Sequence, residues 1–147
     1  MMIEAIDNTN LDSVLPLIRK YQEFYEVKSI DDNNNKEFFS QFGSSSKKGC
    51  LFGYKKDGKL VAFATVYFSY ASSIISKVAI MNDLYTLEEY RKHGIATELI
   101  KHCEKYAKKN GAVRLQWVTA ATNKSAQSIY KSLGAKQSSW EFYTYAT

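Results

Sequence analysis

Apolar residues recur at positions 11, 14, 15, 18, 21, 24 and 25, the spacing of one helix face over Leu11–Tyr25. Thr9 and Asp12 stand before it at capping-box spacing. Pro16 removes a backbone donor beyond the first turn of a helix begun there, so a start near Ser13 is the other reading. Met2–Ile6 alternates weakly and predicts an opening strand. The polar stretches Ser29–Lys36 and Ser44–Lys48 read as loops, with a short helix over Asn35–Phe42. The period then changes. Cys50–Tyr54, Leu60–Tyr67 and Val78–Thr86 are rich in Val, Ile, Phe and Tyr, as strands are. Asp57-Gly58 between the first two signals a tight hairpin.

Helical spacing returns at Ile95–Lys109, where Ile95, Leu99, Cys103, Tyr106 and Ala107 share a face and Gly111 supplies a stop. Arg114–Val118 reads as a short strand. Ser125–Leu133 reads as a helix ended by Gly134, and the aromatic run Trp140–Tyr145 as a final strand. Three strands joined by short turns favour antiparallel pairing, and the later β-α-β-α-β order favours a parallel or mixed region. The expected architecture is one mixed α/β domain over residues 1–147.

Composition narrows the partners. The chain has 147 residues, 45% apolar and 24% charged, which excludes a disordered or collagen-like chain. Its two cysteines cannot make a disulfide framework, and both sit in apolar settings. No basic region precedes an apolar run at the start, so a cytoplasmic location is expected. Leu60–Ser76 is uncharged but too polar for a membrane span. Net charge is +5, which suits anionic partners without choosing among them. His93 and His102 with two distant cysteines fit no zinc pattern, so no metal is expected.

Two segments carry chemistry. The first runs Asn82-Asp83-Leu84-Tyr85-Thr86, through Arg91-Lys92-His93, to Gly94-Ile95-Ala96-Thr97. Small residues at 94 and 96 let a ligand approach the backbone where a helix begins. Free N–H groups and the dipole there bind phosphate, and Arg91, Lys92 and His93 add charge. The same pattern also serves an ordinary tight turn. The second segment is Asn123-x-Ser125 with Tyr130, Lys131, Leu133, Gly134 and Ala135. By itself it reads as a helix capped by Asn123 with a core tyrosine at 130.

Arg91-x-x-Gly94-x-Ala96 after a strand resembles the acetyl-coenzyme A motif of the GNAT superfamily of N-acetyltransferases. Asn123 with Ser125, Tyr130 and Gly134-Ala135 resembles that family's next block. The element order is similar over essentially the whole chain. The resemblance implies a mixed, mostly antiparallel sheet splayed between its fourth and fifth strands, flanked by about four helices. It implies a pantetheine arm bonded to backbone at Leu84, Tyr85 and Thr86, and a pyrophosphate resting on N–H groups from Arg91 to Thr97. Asn123 would contact pantetheine or order its turn, Tyr130 would lie beside the sulfur, and Lys131 would reach an anionic part of coenzyme A. Ala96 stands where the motif more often has Gly.

These roles have a physical basis. A neutral amine attacks the thioester carbonyl, and a strand N–H stabilises the developing oxyanion. A thiol titrates near 8.5 and a phenol near 10, so Tyr130 can serve as the general acid. The amine must also lose a proton. Asp83, which shares a face with Tyr85 if the strand is regular, is the expected base, with Glu88 and Glu89 as rivals otherwise read as a solvated turn. Tyr21-Gln22-Glu23-Phe24-Tyr25-Glu26 combines rings and carboxylates, which suit a cation. It is similar to the matching stretch of diamine and polyamine acetyltransferases. Glu23, Tyr25 and Glu26 are therefore the expected substrate-side residues, with a merely solvated helix side as the alternative. Lysine peptides and aminoglycosides are the other acceptors, and a basic nucleic-acid-binding domain or an inert acyl-coenzyme A binder the other readings. A homodimer using Trp140–Tyr145 is compatible with the sequence.

Overall fold

The computed structural model describes residues 2–147. The elements run β1 (Ile3–Ile6), α1 (Leu11–Phe24), α2 (Asp32–Phe39), β2 (Gly49–Lys56), β3 (Lys59–Ala71), β4 (Ser76–Thr86), α3 (Ile95–Lys109), β5 (Leu115–Gln116) and α4 (Lys124–Ser132), with 3₁₀ turns at Ser72–Ile74 and Glu88–Tyr90. The five strands lie in chain order, antiparallel from β1 to β4 and parallel between β4 and β5. The mixed α/β architecture and the splay implied above are both present.

Local chemistry explains most of these elements. Asp57 and Gly58 both take positive φ, 53° and 75°, which is the tight-hairpin conformation that Asp-Gly favours. Leu11, Val14, Leu17 and Ile18 bury one stripe of α1. Leu99, Ile100, Cys103 and Ala107 do the same for α3. The central strands supply the fully buried Phe63, Leu51, Val61 and Val66 between these helices. α1 is tied to α2 by a paired amide contact, Gln22 with Asn35, at 2.8 Å in both directions. Two ion pairs, Arg19–Asp32 and Lys36–Asp12, flank it.

Several expectations need correction. Thr9 does not cap α1. Its hydroxyl donates to Asp7, and Asn10 occupies the cap position. The helix begins at Leu11 with Pro16 inside it, where the unpaired carbonyl of Asp12 falls at an exposed residue. The polar stretch 29–36 is only partly loop. Asp31 accepts from the Asn34 N–H and starts α2 at Asp32. β3 continues to Ala71, well past Tyr67. Most telling, Trp140–Tyr145 forms no strand. Its residues carry no regular structure and stand exposed, because nothing in the chain covers them.

Candidate active site

The site begins where the sheet opens. β4 and β5 pair only at Ala79–Leu115 and Ile80–Gln116, whereas β3 stays paired with β4 up to Thr86. Beyond Ile80, β4 therefore has one paired edge and one free edge. The register between β3 and β4 shifts at Thr65/Val66, leaving Asn82 as an extra residue in β4. Such a bulge re-aims the side chains that follow it. Asp83 and Tyr85 then turn to the same side, where both meet Tyr21 of α1.

Asp83 is buried and fully engaged. The Tyr21 hydroxyl donates to one of its oxygens at 2.6 Å. The Thr65 hydroxyl donates to the other, and the Asn82 amide donates at 3.2 Å. Burial and the neighbouring carboxylate push the Tyr21 phenol well above its ordinary value. Thr65 is itself fully buried, whereas Tyr21 is only partly buried, so Tyr21 is the neighbour that links Asp83 toward the surface. Sequence reasoning placed Tyr21 on the packed face of its helix and missed this role. The clue available was a tyrosine rather than an aliphatic residue on that face.

The helix start is shaped as expected. Gly94 is the N-cap of α3 at φ 79°, and no side chain caps the helix. Among the described residues, no acceptor takes the N–H groups of Ile95, Ala96 and Thr97. A Cβ at Gly94 would meet nothing within 4 Å, so glycine is there for backbone conformation rather than for room. Lys92 also takes positive φ, 66°. Arg91 differs from the expectation of a phosphate-facing side chain. Its Nε donates to the Thr86 carbonyl at 2.9 Å, and its guanidinium lies over Phe24 and Tyr85. Its own N–H bonds to the Glu88 carbonyl. Arg91 therefore bolts the loop onto the end of β4.

Tyr130 lies on α4 and packs against the core. It is half-buried and meets Trp117 edge-on at 5.2 Å. Burial raises its pKa, the nearby Tyr25 adds to this, and the neighbouring Thr119 offsets part of it. Tyr130 is therefore protonated at neutral pH. Tyr25 in turn packs on Tyr21 at 5.0 Å. Asn123 caps α4, accepting from the Ala126 N–H and the Ser125 hydroxyl, both at 3.4 Å. Ser125 and Lys131 are exposed.

Beside the end of β4 lies a hollow of about 400 Å³, lined by Lys20, Glu23, Phe24, Tyr85, Leu87, Glu88 and Glu89. Glu88 and Glu89 thus line a cavity rather than a featureless turn. Tyr25 and Glu26 stand exposed outside its lining. Neither cysteine serves as a nucleophile. Both are buried, and burial pushes each thiol up to about 12. Among the described residues, no group of three His, Cys, Asp or Glu converges to hold a metal, and no helix is long and apolar enough to cross a membrane.

A sheet opened beside uncapped helix amides belongs to the class of acyl-transferring domains that hold a phosphate-bearing acyl carrier. Comparison with known proteins gives the particular family. The family model described as "Acetyltransferase (GNAT) family" matches residues 14–135. The uncharacterized N-acetyltransferase YhfO of Bacillus subtilis is 26% identical over 137 residues, covering 93% of this chain and 91% of that protein. Thialysine N-epsilon-acetyltransferase of Bos taurus is 29% identical over 145 residues, covering 92% and 84%. A crystal structure described as a probable acetyltransferase superposes with a TM-score of 0.86 at 29% identity, covering 100% of this chain and 98% of the other. The chain belongs to the GNAT acetyltransferase family. It is an N-acetyltransferase that uses acetyl-coenzyme A as co-substrate.

Proposed function

We propose that the enzyme acetylates a primary amine of a small cationic acceptor, a diamine or polyamine, by direct attack within a ternary complex. The observation that carries this reading is the hollow beside β4. It has three carboxylates, Glu23, Glu88 and Glu89, and two aromatic walls, Phe24 and Tyr85. Carboxylates hold an ammonium by charge and here outnumber the hollow's one ammonium, Lys20, while Phe24 and Tyr85, which already carry the Arg91 guanidinium, supply apolar walls. Tyr85 belongs both to this hollow and to the ring cluster around Tyr21, which bonds Asp83. An acceptor with two amines would leave its distal ammonium among the glutamates and present the other toward Tyr21. Tyr25 and Glu26 guard the approach. The relatives named for thialysine support an acceptor with a terminal amine on a flexible arm.

In this reading the free edge of β4 at Leu84, Tyr85 and Thr86 takes the pantetheine arm. The N–H groups from Lys92 to Thr97 take the pyrophosphate, supported by the charge of Lys92 and His93. Asn123 and Ser125 set the turn that brings α4 to the arm, and Lys131 meets an outer anionic group. The amine nitrogen bonds the acetyl carbon as its proton passes to the Tyr21 oxygen, while the Tyr21 proton passes to Asp83. The C–S bond then breaks, and Tyr130 gives its proton to the leaving sulfur. Tyr130 recovers a proton from solvent, and Asp83 releases its proton to solvent by way of Tyr21, which closes the cycle. The protein works in the cytoplasm, where its two buried free thiols suit a reducing setting.

Aminoglycosides form the second acceptor class, because two further relatives carry that name. The test is thiol release from acetyl-coenzyme A across diamines, polyamines, thialysine, aminoglycosides and lysine peptides. The highest kcat/KM is expected with a diamine or polyamine. A clear preference for aminoglycosides or peptides would replace this acceptor class.

A further inference from the structure

Three parts of the chain wall the hollow beside β4. The end of α1 brings Glu23 and Phe24, the end of β4 brings Tyr85, and the 3₁₀ turn after it brings Glu88 and Glu89. Arg91 does not line the hollow, yet it meets all three parts. Its guanidinium carbon lies 5.5 Å from the Phe24 ring centre and 5.6 Å from that of Tyr85. Its Nε donates to the Thr86 carbonyl at 2.9 Å. Its backbone N–H closes the 3₁₀ turn, donating to the Glu88 carbonyl at 3.2 Å.

These contacts call for an arginine. A guanidinium is flat and delocalised, so it lies over rings while its edge donates to a carbonyl. A lysine ammonium is a point charge on a flexible stem and cannot do both at once. The clamp matters because Phe24 is the last residue of α1 and is 54% exposed. Besides the guanidinium, its ring meets only other rings, Tyr25 and Tyr85. Among the described residues, Arg91 forms no ion pair, so the three carboxylates of the hollow are not neutralised by it.

We propose that Arg91 is a positioning residue for the acceptor: its guanidinium holds the Phe24 and Tyr85 walls of the hollow in place, and its side chain does not serve the pyrophosphate. The assignment rests on the hollow being the acceptor site. Lys92, the next residue, takes positive φ and begins the run of N–H groups given to the pyrophosphate. Arg91 therefore marks the border between the cofactor loop and the acceptor hollow. Removing its charge would by itself favour a cationic acceptor, so the informative variant is Arg91→Lys, which keeps the charge and deletes the geometry.

The test is initial-rate kinetics with a diamine and calorimetry with coenzyme A, both on the full chain. Arg91 and Phe24 are exposed, so variants at either position should keep the wild-type far-UV circular dichroism. Arg91→Lys should raise the diamine KM roughly fivefold, the scale of an exposed cation–ring contact. The kcat and the coenzyme A Kd should each change by less than about twofold, as when binding alone is lost. Phe24→Leu should raise the same KM, and the two effects should fall short of multiplying in the double variant, because both delete one contact. Effects that multiply overturn the proposal. A coenzyme A Kd raised as much as the diamine KM, or raised alone, also overturns it and returns Arg91 to the phosphate. The Glu88→Gln/Glu89→Gln pair separates the two claims. If that pair raises the diamine KM and Arg91→Lys does not, the hollow stands and the role of Arg91 falls. If neither raises it, the hollow is not the acceptor site and both fall.

Discussion

Asp83 carries the most information per residue. Its carboxylate is buried beneath one threonine and reached through one tyrosine hydroxyl. Tyr21→Phe keeps the ring packing and deletes that approach. It should lower kcat by roughly tenfold to a hundredfold, within the range that positioned proton transfer supplies, and shift the pH–rate profile. KM for acetyl-coenzyme A should stay nearly constant, and a rise in that KM alone would remove Tyr21 from the proton path. Tyr130→Phe should lower kcat by roughly 10²–10³ without weakening coenzyme A binding. Unchanged turnover would remove Tyr130 as the acid. Paired Glu88→Gln and Glu89→Gln substitutions should raise the acceptor KM and spare kcat, read from initial rates with a diamine.

Glycines at two element ends separate conformational strain from ligand binding. Gly58 and Gly94 both hold positive φ, and a Cβ on either would meet nothing. Gly58→Ala and Gly94→Ala should each cost roughly 1–2 kcal/mol in the left-handed conformation, lowering Tm by several degrees. Only Gly94→Ala should also weaken coenzyme A binding, by about fivefold or more in calorimetry, because only Gly94 shapes a helix start with free amides. Equal coenzyme A affinity in the two variants would move the pyrophosphate elsewhere. The helices were legible because burial repeats with the helical period, and the inner strands because their runs, buried on both faces, are rich in Val, Phe and Tyr. The limits of α1 and α2 were less legible, since Asn10 and Asp31 act through backbone contacts that spacing alone does not reveal. Trp140–Tyr145 has a strand's composition, but composition does not supply the neighbouring edge.

Across the whole molecule, pH and thiol chemistry follow from burial. His102 packs edge-on against Phe52, and burial followed by the charge of Lys105 lowers its pKa from the ordinary 6.5. The unfolded chain therefore binds this proton first as pH falls. His102 stabilises the fold above pH 6.5, and that contribution is lost as pH drops through 6.5 toward the lower folded value. Tm should fall less steeply below pH 6.5 in His102→Gln than in the wild type, as measured by differential scanning calorimetry. Cys50 and Cys103, both pushed up to about 12, should resist iodoacetamide at pH 8 until the protein unfolds. Rapid labelling of the native protein would show that the core opens.

The sequence by itself determined the order of elements from β1 to α4, the Asp-Gly hairpin, the glycine at the start of α3 and the two tyrosine-bearing segments. Each of these is a local property, set by side-chain periodicity or by a φ that few residues tolerate. Only the tertiary structure decided which groups meet. Tyr21 and Asp83 are 62 residues apart and come within 2.6 Å because a one-residue bulge in β4 turns the carboxylate toward α1. Arg91, which the motif directed at phosphate, is drawn instead to a carbonyl and two rings supplied by other elements. Such pairings depend on distances through space, which spacing along a chain does not encode.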